Sequence, residues 1–335
     1  MRKIYVASFG PPESRGLYVL DFDAPDFHLD QYLPTQDNPH YILRSDACIY
    51  TAMKNMSPKN NRGGVASYRM DEEGHLLYND NYTSSGRSYV YLCLNADHHF
   101  LFAANYQVGT TASYLLDHGK VIKKISVAYR EHDKIHHSPH VCHVGLTPKE
   151  EFIYSIDIDG DNIVLYDYRD GFLEEVRRQK ILGGSGPSHM LFSPDGRFAY
   201  LVNQYTSTIM VFHYSPGGHF SMIQMISTLP RHFRGQSQAG TLHLSRSGRH
   251  LFVSNCGHDS IAMYARNPES GKLYLLYMIH THHDPCDFVI DDDRYMYVIC
   301  RQEGLLEVLE MDLGRDYLGK TDWVYALPEP VSVTI

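Results

Sequence analysis

An all-β fold, a seven-bladed β-propeller, is what this sequence predicts, on three observations. A hairpin unit recurs along the chain, the interval between its copies is nearly constant, and the two chain ends are incomplete in complementary ways. The clearest copy is GPSHMLFSPDGRFAYLVN, Gly186 to Asn203. It reads as a Gly-Pro approach, an apolar run His189–Ser193, a Pro-Asp-Gly turn and a second apolar run Phe198–Asn203. Turn residues between two runs rich in aromatic and β-branched side chains are a hairpin signature. Variants stand at residues 38–53, 88–105, 139–157, 239–255 and 284–300. The aromatic of each second run marks the series Tyr5, Tyr50, Phe102, Tyr154, Tyr200, Phe252 and Tyr297, at intervals of 45, 52, 52, 46, 52 and 45 residues. A period in that range, filled with short strands and no convincing helix, is that of propeller blades.

Taken in order, the first residues supply three strands, KIYVASF, GLYVLDF and FHLDQYL, whereas a full repeat supplies four. The repeat beginning at His189 continues with Thr208–Tyr214 and Phe220–Ser227, and the next with Ser260–Arg266 and Leu273–His280. The last residues, Pro330 to Ile335, read as an innermost strand without a blade of its own. Joining the ends completes a seventh blade from the N-terminal strands plus the C-terminal strand and removes an open sheet edge. One domain over residues 1–335 is expected, because blades bury their faces only against neighbouring blades.

Composition narrows the class of partner. Hydrophobic residues make up 43% of the chain, and a single Trp stands beside 26 Tyr, which suit half-buried strands. A net charge of −9 with no cluster of Lys or Arg suits neither nucleic acid nor an anionic membrane surface, so a small-molecule substrate is the expected partner. MRKIYVASFG runs straight into a strand without the apolar core of a signal peptide, and no stretch reaches membrane-spanning length. The six cysteines form no CxxC pair and sit in or beside apolar runs, as reduced thiols do. A cytoplasmic location is expected, and the sequence assigns no oligomeric state.

In a propeller, the loops that lead into the innermost strands and those that leave the second strands share one face. Just upstream of the predicted innermost strands stand His40 and Tyr41, Val90 and Tyr91, Cys142 and His143, Ser188 and His189, Gly240 and Thr241, Cys286 and Asp287, and Val331 and Ser332. The exits add Tyr106, Gln204, Cys256 with His258, and Arg301 with Gln302. From this set, with His140 that flanks Cys142, the candidate proton-transfer residues are His140, His143, His189 and Asp287, since histidine serves as base or ligand near neutral pH. Gln204, Arg301, Ser188, Cys286 and Cys142 are the candidate substrate-binding residues, with Arg301 suited to a carboxylate or phosphate. The competing reading is that several of these are packed or hydrogen-bonded ring residues. No organic cofactor is expected. A divalent metal held by His and Asp around the channel is an alternative, without supporting ligand spacing in the sequence, and a Cys142 or Cys286 nucleophile is another.

Three further segments are read as structural. GRDYLGKT, Gly314 to Thr321, matches the phosphate-loop pattern by letter, but the chain left after it holds Pro328 and Pro330 and no helix, so it is expected to be an exposed loop. DIDGDN, Asp157 to Asn162, is expected to be a turn rather than a calcium loop. In the histidine-rich run His132 to His143 the outer members are expected to be solvated, and Gly183 to Gly186 to be a flexible connection between blades.

GPSHMLFSPDGRFAYLVN, the stretch from Ile226 to Ala265, the HDPCDF segment and the closing LPEPVSVTI together resemble the bacterial lactonase family of seven-bladed propellers, over nearly the whole chain. The resemblance implies a channel mouth whose polar and cationic groups hold an anionic sugar lactone and assist proton transfer at its carbonyl. This sequence departs from the family's motifs at four positions. Cys142 stands where the family has His, Ser188 and Cys286 where it has Arg, and Gln204 where it has Glu. The implied function is an enzyme acting on a small anionic sugar acid or lactone, with ring opening by analogy and 6-phosphogluconolactone expected to be a poor substrate. Alternatives are a His- or metal-dependent isomerase or lyase on a similar substrate, and a non-catalytic sugar-acid binder.

Overall fold

The structure, a computed structural model, describes residues 2–54, 62–85, 88–129 and 139–335, and these form seven four-stranded sheets, the blades of a propeller. By packing, the chain divides into two compact units, residues 1–183 with 334–335 and residues 184–333. The first unit holds blades 2, 3 and 4, whose innermost strands are Asn38–Arg44, Tyr89–Leu94 and Val141–Leu146. The second holds blades 5, 6 and 7, whose innermost strands are Pro187–Phe192, Gln238–Leu244 and Pro285–Asp291. Blade 1 is the composite one: its strand order is Pro330–Thr334, Arg2–Ser8, Gly16–Asp23, Asp26–Pro34.

The hairpin at Ser193 shows how the sequence makes a blade. Ser193 and the backbone N–H of Arg197 both donate to Asp195, and the Arg197 guanidinium donates to its second oxygen at 2.8 Å. Against the upward push of partial burial, these donors pull the Asp195 carboxyl down to about 2. The strands that follow, Phe198–Asn203 and Thr208–Ser215, pair in unbroken antiparallel register. Phe198–Asn203 is buried at every residue, because the middle strands of a blade are covered on both faces, whereas the outermost strand His219–Ser227 is largely exposed. The seven aromatic markers of the sequence all lie in second strands and all are buried. Tyr200 packs with Val211, Leu242 and Leu251, linking blades 5 and 6, while its hydroxyl donates to the Gly271 carbonyl at 2.9 Å. In the first unit Tyr50 and Val65 pack against Leu92, Leu101 and Tyr114 in the same manner. Aromatic bodies thus fill the space between blades while their polar tips reach a partner.

The innermost strands depart from ideal pairing at one recurring place. The register breaks at His40 in blade 2, Val90 in blade 3, Cys142 in blade 4, Ser188 in blade 5, Gly240 and Thr241 in blade 6, and Cys286 in blade 7. Each is a β-bulge, in which an extra residue on one strand kinks it and re-aims a side chain. This corrects the sequence reading: Cys142, Ser188 and Cys286 lie not upstream of the innermost strands but inside them, on the bulges. A second correction concerns Gly314–Thr321. Its first two residues end the short 3₁₀ turn Leu313–Arg315, and Tyr317–Thr321 begins the outermost strand Tyr317–Ala326 of blade 7, with Leu318 and Gly319 buried. Residues 158–161 form a turn. Gly186 is buried, and its carbonyl accepts from Gln204 N–H at 2.6 Å, so that end of the connection is anchored rather than loose. His132, His136 and His137 lie outside the described residues.

Candidate functional site

In the first unit, the bulge at Cys142 sits between the pairs Val141–Asp157 and His143–Ile156. The Cys142 thiol donates to the Ile156 carbonyl at 3.6 Å. Burial, with the charges of Asp157 and Asp159 adding to it, pushes that thiol far up, which leaves it protonated and a poor nucleophile. His143 is turned into the blade. Its ring lies 4.1 Å from that of Tyr91 and 5.6 Å from that of Tyr154, with Tyr41 stacked on Tyr91, and burial lowers the imidazole to about 3. A histidine so placed stays neutral and packs as an aromatic. His140, one residue before the strand, is placed differently. Its Nδ1 bonds to Asp159, its ring stacks on Tyr106 at 4.5 Å, and its backbone N–H donates to Asp157 at 3.0 Å. It is a half-exposed imidazole oriented by a carboxylate, the geometry of a base with its positioning partner.

In the second unit the candidate residues fall into three groups. The bulge at Ser188 brings His189 onto the half-buried side of its strand, where its ring meets His243 edge-on at 6.3 Å. His243, which the sequence reading passed over, packs edge-on against Phe288 at 4.8 Å, and burial lowers it to about 4. Its only sequence signal is a histidine interrupting the apolar alternation of GTLHLS.

Asp287 follows the bulge at Cys286 and holds neighbouring inner strands together. Its oxygens accept the N–H of Phe288 at 3.0 Å and of Val333 at 3.0 Å, and Ser332 and Thr241 donate hydroxyls to it. Burial nonetheless pushes the carboxyl up to about 6, since these donors offset only part of the cost of ionising it there. Thr241, also unflagged as a site residue by the sequence, has its hydroxyl oxygen 3.3 Å from the Cys286 carbonyl as well, so its one proton is shared between that oxygen and Asp287. The Cys286 thiol faces the Val331 carbonyl at 3.8 Å and is pushed well up by burial and by Asp287.

The third group lies on the loops of the same face. Arg301 makes a fork onto one oxygen of Asp284, both contacts at 2.9 Å. Gln204 donates to Gln238 at 2.8 Å. Between them runs a network without precedent in the sequence reading. His283 bonds Asp259 at 2.7 Å, Asp259 also accepts the N–H of Asp284 and Gly257, and His282 bonds the buried Glu307. These residues come from two separate loops and one strand, so no local spacing announces them.

Among the described residues, the one group of three whose possible ligand atoms lie within 4.8 Å of one another is Asp71, Glu73 and His75. It belongs to the turn joining the outer two strands of blade 2, at the end of the blade opposite the loops discussed above. Among the described residues no helix is long and apolar enough to cross a membrane.

The first unit thus presents a carboxylate-oriented imidazole at His140, and the second a carboxyl of raised proton affinity at Asp287 with the amide of Gln204 and the guanidinium of Arg301. The comparisons with known proteins agree in placing the fold. Residues 3–335 match the family model described as lactonase, 7-bladed beta-propeller. The 6-phosphogluconolactonase of Bacillus subtilis is 28% identical over 341 residues, covering 98% of this chain and 97% of that protein. The solved periplasmic gluconolactonase of Pseudomonas aeruginosa superposes with a TM-score of 0.91 at 26% identity, covering 99% of this chain and 98% of that one. A solved protein from Lactobacillus plantarum gives a TM-score of 0.88 at 25% identity, covering 99% and 98%. With the repeat, the seven blades and a match over nearly its full length, the chain belongs to the lactonase family of seven-bladed β-propellers.

Proposed function

We propose that the protein hydrolyses the ring ester of a small sugar lactone bearing an anionic group, with Asp287 as general base. The observation that carries this reading is the placement of Asp287: an inner-strand carboxyl, fixed by two backbone N–H donors, whose affinity for a proton is raised to about 6. A base of that strength is mostly ionised at neutral pH yet still accepts a proton readily, which is the compromise general-base catalysis favours. In the reaction, a water oxygen bonds to the lactone carbonyl carbon while its proton passes to Asp287. The ring C–O bond then breaks, and the departing alkoxide recovers a proton to give the hydroxy acid. His189 is assigned to hydrogen bonding at the reacting oxygens, as a half-buried imidazole on the bulged inner strand of blade 5, which the inner strand of blade 6 separates from that of Asp287. The names of the two relatives above, both acting on gluconolactone-type esters, support the substrate class.

The testing experiment is hydrolysis of a panel of aldono- and aldaro-lactones by the purified protein, followed by pH-stat. The expected result is turnover of at least one sugar lactone that rises with pH through about 6 and falls about 10²-fold or more in Asp287→Asn. Absence of turnover across the panel, or an unchanged rate in the variant, overturns the reading.

A further inference from the structure

Ser188 and Cys286 place no positive charge on the inner-strand bulges, so an anionic group on the ligand must be met elsewhere on this face. We propose that Arg231 and Arg234 form an oxyanion grip, on the loop of residues 228–237 that leads from blade 5 into the innermost strand of blade 6. The proposal rests on the reading of the protein as a sugar-lactone hydrolase and names where that substrate's carboxylate or phosphate is held.

The loop is built to hold its shape. Thr228 donates both its N–H and its hydroxyl to the Ser207 carbonyl, at 2.9 and 3.0 Å. Phe233 N–H closes a turn onto Pro230 at 3.0 Å, and the Phe233 ring packs edge-on against His258 at 4.8 Å. Gly235 permits this fold-back, since a Cβ there would come within 2.5 Å of the Phe233 ring. At the far end, Ser237 donates to the Cys256 carbonyl at 3.0 Å and accepts His258 N–H at 3.3 Å. Arg234 donates one guanidinium nitrogen to the Phe233 carbonyl at 3.0 Å, which tethers the side chain to its own loop.

Arg231, His232 and Arg234 are all exposed. Among the described residues, no carboxylate comes within ion-pair distance of any of the three. Three carboxylates of the same face are paired elsewhere: Asp284 with Arg301, Asp259 with His283, and Glu307 with His282. In a chain with a net charge of −9, two uncompensated guanidinium groups three residues apart on a braced loop are a local positive site. Guanidinium forks match carboxylate and phosphate oxygens in pairs, so the chemistry selected is an oxyanion on the end of a sugar acid.

The test titrates the protein with 6-phosphogluconate, glucarate and gluconate, reading the arginine Nε–Hε NMR signals, and repeats the titration on Arg231→Gln/Arg234→Gln. The proposal expects the signals assigned to Arg231 and Arg234 to shift with saturation. It also expects affinity for the best-bound acid to fall about tenfold or more in the double variant at an unchanged melting temperature. Selective loss of 6-phosphogluconate binding identifies phosphate as the gripped group, and selective loss of glucarate binding identifies a second carboxylate. If neither arginine signal responds to any of the three acids, or the double variant binds as tightly as the parent, the grip is refuted, even where lactone turnover persists. Conversely, arginine shifts in a protein that turns over no lactone leave the grip standing and remove the hydrolase reading.

Discussion

Asp287 is where a single residue's chemistry shows most clearly. Its folded-state affinity for a proton, about 6, exceeds the ordinary 3.8, so between those values the folded chain binds more protons than the unfolded one. The contribution of Asp287 to stability therefore falls as pH rises from about 4 to about 6, and at pH 7 the buried charge costs on the order of 2 to 3 kcal/mol. Asp287→Asn keeps an acceptor oxygen for one strand N–H and removes that charge. Its melting temperature is expected to exceed the parent's at pH 7 and to match it near pH 4, and melts at the two pH values check this. His143 works in the opposite sense. Lowered to about 3, it stays neutral while an unfolded histidine takes a proton, so its contribution to stability is lost as pH falls from about 6.5 toward 3. His143→Ala should cost roughly 2 to 4 kcal/mol in urea unfolding at pH 7, by opening a cavity between Tyr91 and Tyr154, and leave the shape of the pH–rate profile unchanged. His189→Ala should lose roughly 10²-fold in rate and melt normally. A variant that instead melts early, with its folded fraction fully active, would show His189 to be a packing residue.

At the scale of the strand and loop, the bulges of the inner strands matter more than any one side chain. A one-residue slip turns a strand's alternate side chains to the other face, so an extra residue at Cys142, Ser188 or Cys286 decides what points out of the sheet and what points into it. The sequence carried a partial sign of this. Pro39, Pro187 and Pro285 each stand immediately before the bulged residue, where a missing N–H is tolerated. Blades 3, 4 and 6 have Tyr89, Val141 and Ala239 at that place and give no such sign. Loop positions depend on equally close approaches. Gly257 has a φ of +94°, and a Cβ there would lie 2.5 Å from the Gln236 carbonyl oxygen, a backbone atom that cannot swing aside. Gly257→Ala should cost about 1 to 3 kcal/mol and loosen the loop that carries Arg231 and Arg234, which hydrogen exchange at residues 228–237 would report.

For the molecule as a whole, the chain ends are the sensitive point. Pro330–Thr334 supplies the innermost strand of the sheet made by the first 34 residues, and the Val333 N–H and Ser332 hydroxyl bond Asp287. Removing the last six residues strips one blade of its inner strand, leaves an open edge and takes the Val333 and Ser332 donors from the half-buried Asp287 carboxyl. Such a truncation should be insoluble or melt far lower than the parent, and a soluble product with unchanged melting would contradict the closure. The repetition that makes the ring also explains the mixture seen at the functional face. Blade cores tolerate little change, while loops carried on such a scaffold can differ without altering the fold.

The period, the four-strand repeat and the composite first blade were determined by the sequence itself, because alternation, turn residues and aromatic spacing act over a few residues and repeat with every blade. The buried markers Tyr5 to Tyr297 are the plainest instance, each legible from its neighbours alone. The roles of the polar residues were decided only by tertiary structure. His140 and His143 lie three residues apart, yet one is oriented by Asp159 at the surface and the other is enclosed by Tyr91 and Tyr154. The proton affinity of Asp287 is set by burial, which raises it, against donors from two other strands, which hold it back, and the network of His282, His283, Asp259 and Glu307 joins residues far apart in the chain. Packing periodicity is a local property that a sequence displays, whereas proton affinity and partnership depend on which distant groups and how much water the fold brings to an atom.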